Sequence, residues 1–198
     1  MFIDVCIPNN NEEEFIKVAD ALGTKGLIFL YEKQQKDLKE LQKNTKLKLY
    51  SGIITKTNVN KPGIVFAKGE QQNIENKNMK FLYDFEELEQ KDSFHFRRSG
   101  TNQVLCAIMK EKEKVLVFDM EKMIVHSRLR EMMLGRMMQN LMLAKKYKLQ
   151  TIICSFATKP EHLRAETEFA SLIRSFGYEE LAKQAINNLH LILENKED

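Results

Sequence analysis

The feature that most constrains this chain is an alternation that runs from end to end. Short apolar stretches are separated by longer polar or amphipathic ones. The apolar stretches cover residues 2–7, 26–32, 47–55, 63–68, 80–85, 93–96, 114–119 and 151–157. Each has the length of one strand, and most are apolar on both faces, as strands of a parallel sheet covered by helices are. Alternating strand and helix signals leave two architectures, a doubly wound sheet or a closed barrel. No stretch is followed by a glycine-rich GxGxxG or P-loop turn, which favours the barrel. The expected fold is therefore α/β, a compact, distorted (βα) TIM-like barrel of about eight short strands. With 198 residues the chain sits at the lower size limit for such a barrel. Several helices must then be stunted.

The connecting segments agree. Glu12 to Glu14 open a helix where its dipole favours acids, and Gly23 follows its end. Residues 34–44 read as a second helix, 99–112 as another with Ser99 as its cap, and 127–148 as a long one. A helix over 179–195 ends the chain and is expected to close the barrel. No linker divides the sequence, so a single domain over residues 1–198 is expected. Cys6, Cys106 and Cys154 are odd in number and far apart, without a CxxC pair. That argues against a disulfide framework or a thiolate zinc site, and for a reducing, cytoplasmic setting. No stretch approaches the ~18 apolar residues of a membrane span, so no membrane partner is expected.

A barrel places function at the carboxyl ends of its strands. The residues that fall there are Asp4 and Cys6, Tyr31 and Glu32, Lys56, Lys68, Asp84, His95 with Arg97 and Arg98, Asp119, and Ser155 with Lys159. Arg97 and Arg98, before the Ser99–Gly100 helix start, suit a phosphate clamp of guanidinium forks and backbone N–H groups. His95, between Phe94 and Phe96, fits either an RNA contact or a core position. The long helix carries Arg128, Arg130, Arg136, Lys145, Lys146 and Lys148 against Glu131, net +5 in a chain of net +3. The chain as a whole is thus too weakly charged to announce a nucleic-acid binder, but this helix is not. One of its apolar stripes, Leu129, Met132, Met133, Met137, Leu141 and Ala144, should face the barrel. A second, Leu134, Met138 and Met142, lies on another face and is the candidate partner-binding surface. Lys159 and Arg164, after the last strand, extend the basic set more weakly.

The stretch FHFRRSGTNQVLCAIMKEKEKVLVFDM (94–120) resembles the archaeal ribonuclease P protein component 3, the thirty-kilodalton-class subunit. The matching residues are His95, Arg97, Arg98, Ser99, Gly100, Asn102, Val104, Leu105 and Phe118. An arginine-rich long helix (126–148), a strand ending IICSFAT (152–158) and LIRSFGY (172–178) follow in the family's order. Residues 56–92 match only by strand order. The resemblance implies a barrel related to the PHP metal-dependent phosphoesterases, used as a protein cofactor of an RNA enzyme. Such enzymes begin their first strand with Asp-x-His-x-His, two imidazoles that hold catalytic metal. Here Asp4 remains, but the histidine positions are Cys6 and Pro8. Proline has no ligand atom, and one thiol does not replace two imidazoles.

The resemblance therefore implies a subunit without catalytic or metal-binding residues that helps the RNA remove the 5′ leader of precursor tRNA. Cleavage would be carried by the RNA and its Mg2+, with no cofactor on the protein. The expected RNA-binding residues are Arg97, Arg98, Ser99, Asn102, Arg128, Arg130 and Lys159. Expected partners are the ribonuclease P RNA, the small RRM-like component 2 (as a heterotetramer in the family), and precursor tRNA indirectly. Two rivals remain: a PHP-type phosphoesterase with an unusual ligand set, and a barrel scaffold that binds only proteins.

Overall fold

A computed structural model of the chain describes all residues except 34, 57–62, 87–91, 93, 95, 96, 126 and 195–198, with the Ser127 side chain also outside the description. Its centre is a sheet of seven parallel strands in strictly sequential order. They are β1 (Ile3–Cys6), β2 (Gly26–Tyr31), β3 (Lys48–Thr55), β4 (Val65–Lys68), β5 (Phe81–Tyr83), β6 (Val115–Asp119) and β7 (Gln150–Cys154). The sheet curls until its edges meet. Ile7 donates its N–H to the Ala157 carbonyl at 2.9 Å, and Cys6 and Ala157 form a parallel bridge. The barrel is thus nearly closed, the second of the two architectures that the alternation of apolar runs allows. The count is seven among the described residues rather than eight. Most of the expected strand at 93–96 lies outside the described residues, and Phe94, the one described, sits in a bend with 97% of its surface exposed.

Two apolar layers result from the pleat, which sends alternate side chains to opposite faces. Inside the barrel, Ile3, Val5, Ile28, Leu30, Phe66, Phe81, Val115, Val117 and Ile152 form one cluster. Phe66 stacks on Phe81 at 4.6 Å, and nearer the carboxyl ends of the strands Tyr83 stacks on Phe156 at 5.3 Å. Outside, Ala67, Leu82, Leu116, Phe118 and Ile153 pack against the helices.

The helices are α1 (Glu12–Ala21), α2 (Lys39–Lys43), α3 (Gln71–Glu75), α4 (Gln103–Glu111), α5 (Glu121–Val125), α6 (Arg130–Tyr147), α7 (Glu166–Ser175) and α8 (Glu179–Glu194). Helices α2, α3 and α5 have five residues each, so the stunting expected of so short a barrel is present. Leu189, Ile192 and Leu193 of α8 join the interior cluster, next to the first residues of the strands.

Three helix boundaries differ from expectation. Helix α4 starts at Gln103, and its cap is Asn102, whose side-chain oxygen accepts the Leu105 N–H at 2.9 Å. Ser99 is not the cap. Gly100 has φ +79°, and any Cβ there would collide with the Phe85 carbonyl, so the chain crosses Phe85 before the helix begins. Of the long helix expected over 127–148, Ser127–Leu129 forms a 3-10 turn and α6 begins only at Arg130. The second helix shrinks from 34–44 to α2.

Candidate nucleic-acid interface

Acids from β1 and from the carboxyl ends of β5 and β6 lie at one end of the barrel, and each is already engaged. Asp4 is buried. Its carboxylate accepts the N–H of Val5 at 2.8 Å, the N–H of Ser155 at 2.7 Å and the hydroxyl of Ser155 at 2.5 Å. Burial still pushes its carboxyl up to about 6, the Ser155 bonds pulling the other way. Asp84, just past β5, takes Lys122 Nζ at 2.5 Å and Lys68 Nζ at 3.8 Å. Asp119, ending β6, accepts the Glu121 N–H at 2.9 Å, and loss of solvent pushes its carboxyl up to about 8. Glu121 accepts from Thr158 and holds His162 Nδ1 at 2.9 Å. Tyr31 donates to Glu12 at 3.1 Å, which Lys36 also grips at 3.0 Å.

Among the described residues this donor set is not arranged to hold a metal ion. Among the described residues no three His, Cys, Asp or Glu side chains converge as ligands. Asp4 already accepts three N–H and O–H donors, Asp84 faces two ammonium groups, and Asp119 accepts the Glu121 N–H. The Cys6 thiol is buried, donates weakly to the Ile28 carbonyl at 3.8 Å, and is pushed up by burial and by Asp4. A thiolate ligand needs the opposite environment.

The described residues between β5 and α4 are built differently. They include Arg97 and Arg98, and they are fastened to α6 by buried polar groups. Arg136, on the barrel-facing side of α6, has no exposed surface. Its Nε and Nη2 meet Asp92 Oδ1 at 2.9 and 2.8 Å, and its Nη1 meets the Glu86 carbonyl at 3.0 Å. The same Asp92 oxygen accepts the Arg98 N–H at 2.9 Å. One turn on, Asn140 donates to Glu86 Oε1 at 2.6 Å and to the Ser99 carbonyl at 2.9 Å, and accepts from the Thr101 hydroxyl. Burial pushes the Glu86 carboxyl up to about 7, against the pull of the Asn140 bond. Arg97 lies across α6, its Nη1 on the Gly135 carbonyl at 3.2 Å, while Gln139 Nε2 reaches the Arg97 carbonyl at 3.4 Å.

The structure sorts the expected residues. Arg97, Asn102, Arg128, Arg130 and Lys159 are exposed, and Arg98 is half-buried, all in segments that follow strand ends. Arg130 also donates Nε to the Met123 carbonyl at 2.8 Å, ending α5. Ser99 is 1% exposed, so its hydroxyl does not reach the surface where an RNA would lie. Arg136 leaves the set of solvated cations for the core. Of the stripe expected against the barrel, Met133, Met137, Leu141 and Ala144 are buried, but Leu129 is 47% exposed because the helix starts after it. Met138 and Met142 of the second stripe are 39% and 53% exposed, whereas Leu134 packs on the core. His95 and His126 lie outside the described residues.

Sequence reasoning missed Glu86, Asp92, Gly135, Arg136, Asn140, Lys122 and the Glu121–His162 pair. A signal existed for two of them. Positions 133, 136, 137, 140, 141 and 144 follow the helical repeat of a buried face, which puts Arg136 and Asn140 in it.

Fold and site together define a nearly closed parallel α/β barrel whose strand-end acids are tied to protein donors. Among solved structures, the barrel matches histidinol phosphate phosphatase from Lactococcus lactis, complexed with zinc, L-histidinol and phosphate. That match has a TM-score of 0.60 at 10% identity, covering 91% of this chain and 93% of that one. An uncharacterized protein matches at 0.60 and 8%, over 93% and 72%. A chain in the cryo-EM structure of archaeal ribonuclease P with mature tRNA matches at 0.79 and 20%, over 96% of this chain and 90% of that one. No protein family and no curated relative matches the sequence. No helix among the described residues is long and apolar enough to cross a membrane.

Proposed function

We propose that this chain is a protein subunit of an archaeal-type ribonuclease P, assisting the RNA subunit in endonucleolytic removal of the 5′ leader from precursor tRNA. The observation that carries this reading is the likeness, over 96% of the chain, to a chain of archaeal ribonuclease P. The neutralised acids at the strand ends support it against a phosphoesterase. The chain itself would hold no catalytic group. Mg2+ would sit on the RNA, where phosphodiester cleavage occurs. Arg97, Arg98, Arg128, Arg130 and Lys159 would neutralise backbone phosphates, with Asn102 beside them at the start of α4. Each neutralised phosphate releases counterions, so a handful of contacts makes affinity fall steeply with salt. Met138 and Met142 are the surface offered to a protein partner, for which the RRM-like component 2 subunit is the candidate, in a heterotetramer.

The test is precursor-tRNA cleavage at limiting Mg2+ by the RNA subunit with its component 2 partner. Three reactions are compared: no added protein, the wild-type chain, and Arg97→Ala/Arg98→Ala. The expected outcome is stimulation by the wild type and a folded double variant that stimulates at least about tenfold less, because two charge-assisted contacts are lost. No stimulation of a competent RNA and partner overturns the reading.

A further inference from the structure

We infer that Gly135 is a positioning residue: its missing side chain creates the seat in which the Arg97 guanidinium is held for an RNA backbone phosphate. The inference rests on the proposed function and adds a residue to it. Gly135 lies within an 18-residue helix, where glycine is the least favourable residue apart from proline. It has ordinary helical backbone, so no turn or left-handed conformation accounts for it. What accounts for it is proximity. A Cβ at 135 would stand 3.0 Å from Arg97 Nε and 3.2 Å from its Cζ, closer than the guanidinium tolerates where it lies.

The seat has three further parts. The Gly135 carbonyl accepts Arg97 Nη1, Gln139 Nε2 holds the Arg97 carbonyl from one turn along, and Asp92 anchors the next backbone N–H while pinned by buried Arg136. The side chain is thus gripped along one edge while the residue as a whole remains exposed, with N–H groups still available to an anion. An arginine ordered before binding loses less rotamer freedom on meeting a phosphate, so it binds more tightly for the same contact. Arg128, with no such seat among the described residues, provides the contrast.

Stability and binding then pull in opposite directions at one position. Adding a Cβ at 135 raises helix propensity and meets only the far end of a flexible side chain, so the fold tolerates it and Arg97 moves. Gly135→Ala should raise the melting temperature by about 2–4 °C. It should also weaken binding to a transcribed ribonuclease P RNA about fivefold, with a salt slope lower by roughly one phosphate contact. The decisive measurement is the double-mutant cycle with Arg97→Ala, in which Gly135→Ala should cost no further affinity. Gln139→Ala, which frees the Arg97 carbonyl without touching the helix backbone, should weaken binding less, and again only when Arg97 is present. It also serves should Gly135→Ala fail to fold. Unchanged affinity in both single variants overturns the inference, as does a loss that persists in the Arg97→Ala background. A wild-type chain with no affinity for the RNA would instead bring down the proposed function itself.

Discussion

Two polar networks lie at the same end of the barrel and differ in what they hold. The network at the strand ends, Asp4 with Ser155, Asp84 with Lys122 and Lys68, and Glu121 with His162, ties the barrel to itself. The network between α6 and the described residues that precede α4 ties a segment bearing two arginines to a helix. Both place charge in the interior, which is costly unless every group is paired. In the first, hydrogen bonds consume the acids and leave little for a ligand. In the second, buried Arg136 and Asn140 consume the bonding capacity of the segment's inner groups while Arg97 stays at the surface. Under the proposed function, the strand ends would be scaffold and the binding chemistry would lie one layer out.

The comparison breaks most sharply at Arg136. Arg136→Ala leaves Asp92 and the Glu86 carbonyl without their donor, and losing one partner of a buried pair costs about 3–5 kcal/mol. Thermal unfolding should therefore fall by about 10 °C or more. RNA affinity should fall even at temperatures where the variant remains folded, because Arg97 and Arg98 lose their anchor. An affinity equal to wild type would place the arginines outside this network's control.

Asp4→Ala tests the other network. It strands the Ser155 N–H, the Ser155 hydroxyl and the Val5 N–H, at a cost of about 2–4 kcal/mol. RNA affinity measured on the folded fraction should not change, and a large change there would erase the contrast between the regions.

A pH series sharpens the distinction further. The Glu86 carboxyl is raised by burial from 4.5 to about 7, with Asn140 bonded to it, Asp84 and Lys122 acting through space, and Arg136 on its carbonyl. The folded protein therefore holds a proton that the unfolded chain has released between those values. Stability from this group is full below about 4.5 and lost as pH rises through about 7. Asp4, raised to about 6, and Asp119, raised to about 8, act with the same sign in their own windows. Glu86→Gln should flatten the decline of melting temperature between pH 5 and 7, an effect of about 1–3 kcal/mol. An unaltered profile would remove Glu86 from the account.

Much of the fold is legible in the sequence because it rests on one coarse signal. Each buried strand must be apolar on both faces, and seven of the eight apolar runs contain one. Boundaries set by single contacts are not legible. Ser99 reads as a cap because serine often caps, yet the close passage of Gly100 over Phe85 moves the helix start to Asn102. The candidate site divides in the same way. Arg97, Arg98, Met138 and Met142 stand out by charge or by stripe. Arg136 reads as one more surface cation, since its partners Asp92 and Glu86 are 44 and 50 residues away in sequence. Only the fold brings them together.

The sequential strand order also sets a timetable for assembly. Each strand from β2 onward pairs with the one before it, so local loops suffice to build the sheet as the chain emerges. One edge cannot follow that schedule. Asp4 waits for Ser155, 151 residues later, and until that serine arrives its carboxylate stands at an open edge in water, ionised as any surface acid is. The seam between β1 and β7 is thus the last joint to be made, carrying the longest loop closure in the sheet. A chain in which that closure has not formed leaves both sheet edges bare, the arrangement on which a neighbouring chain's strand can pair.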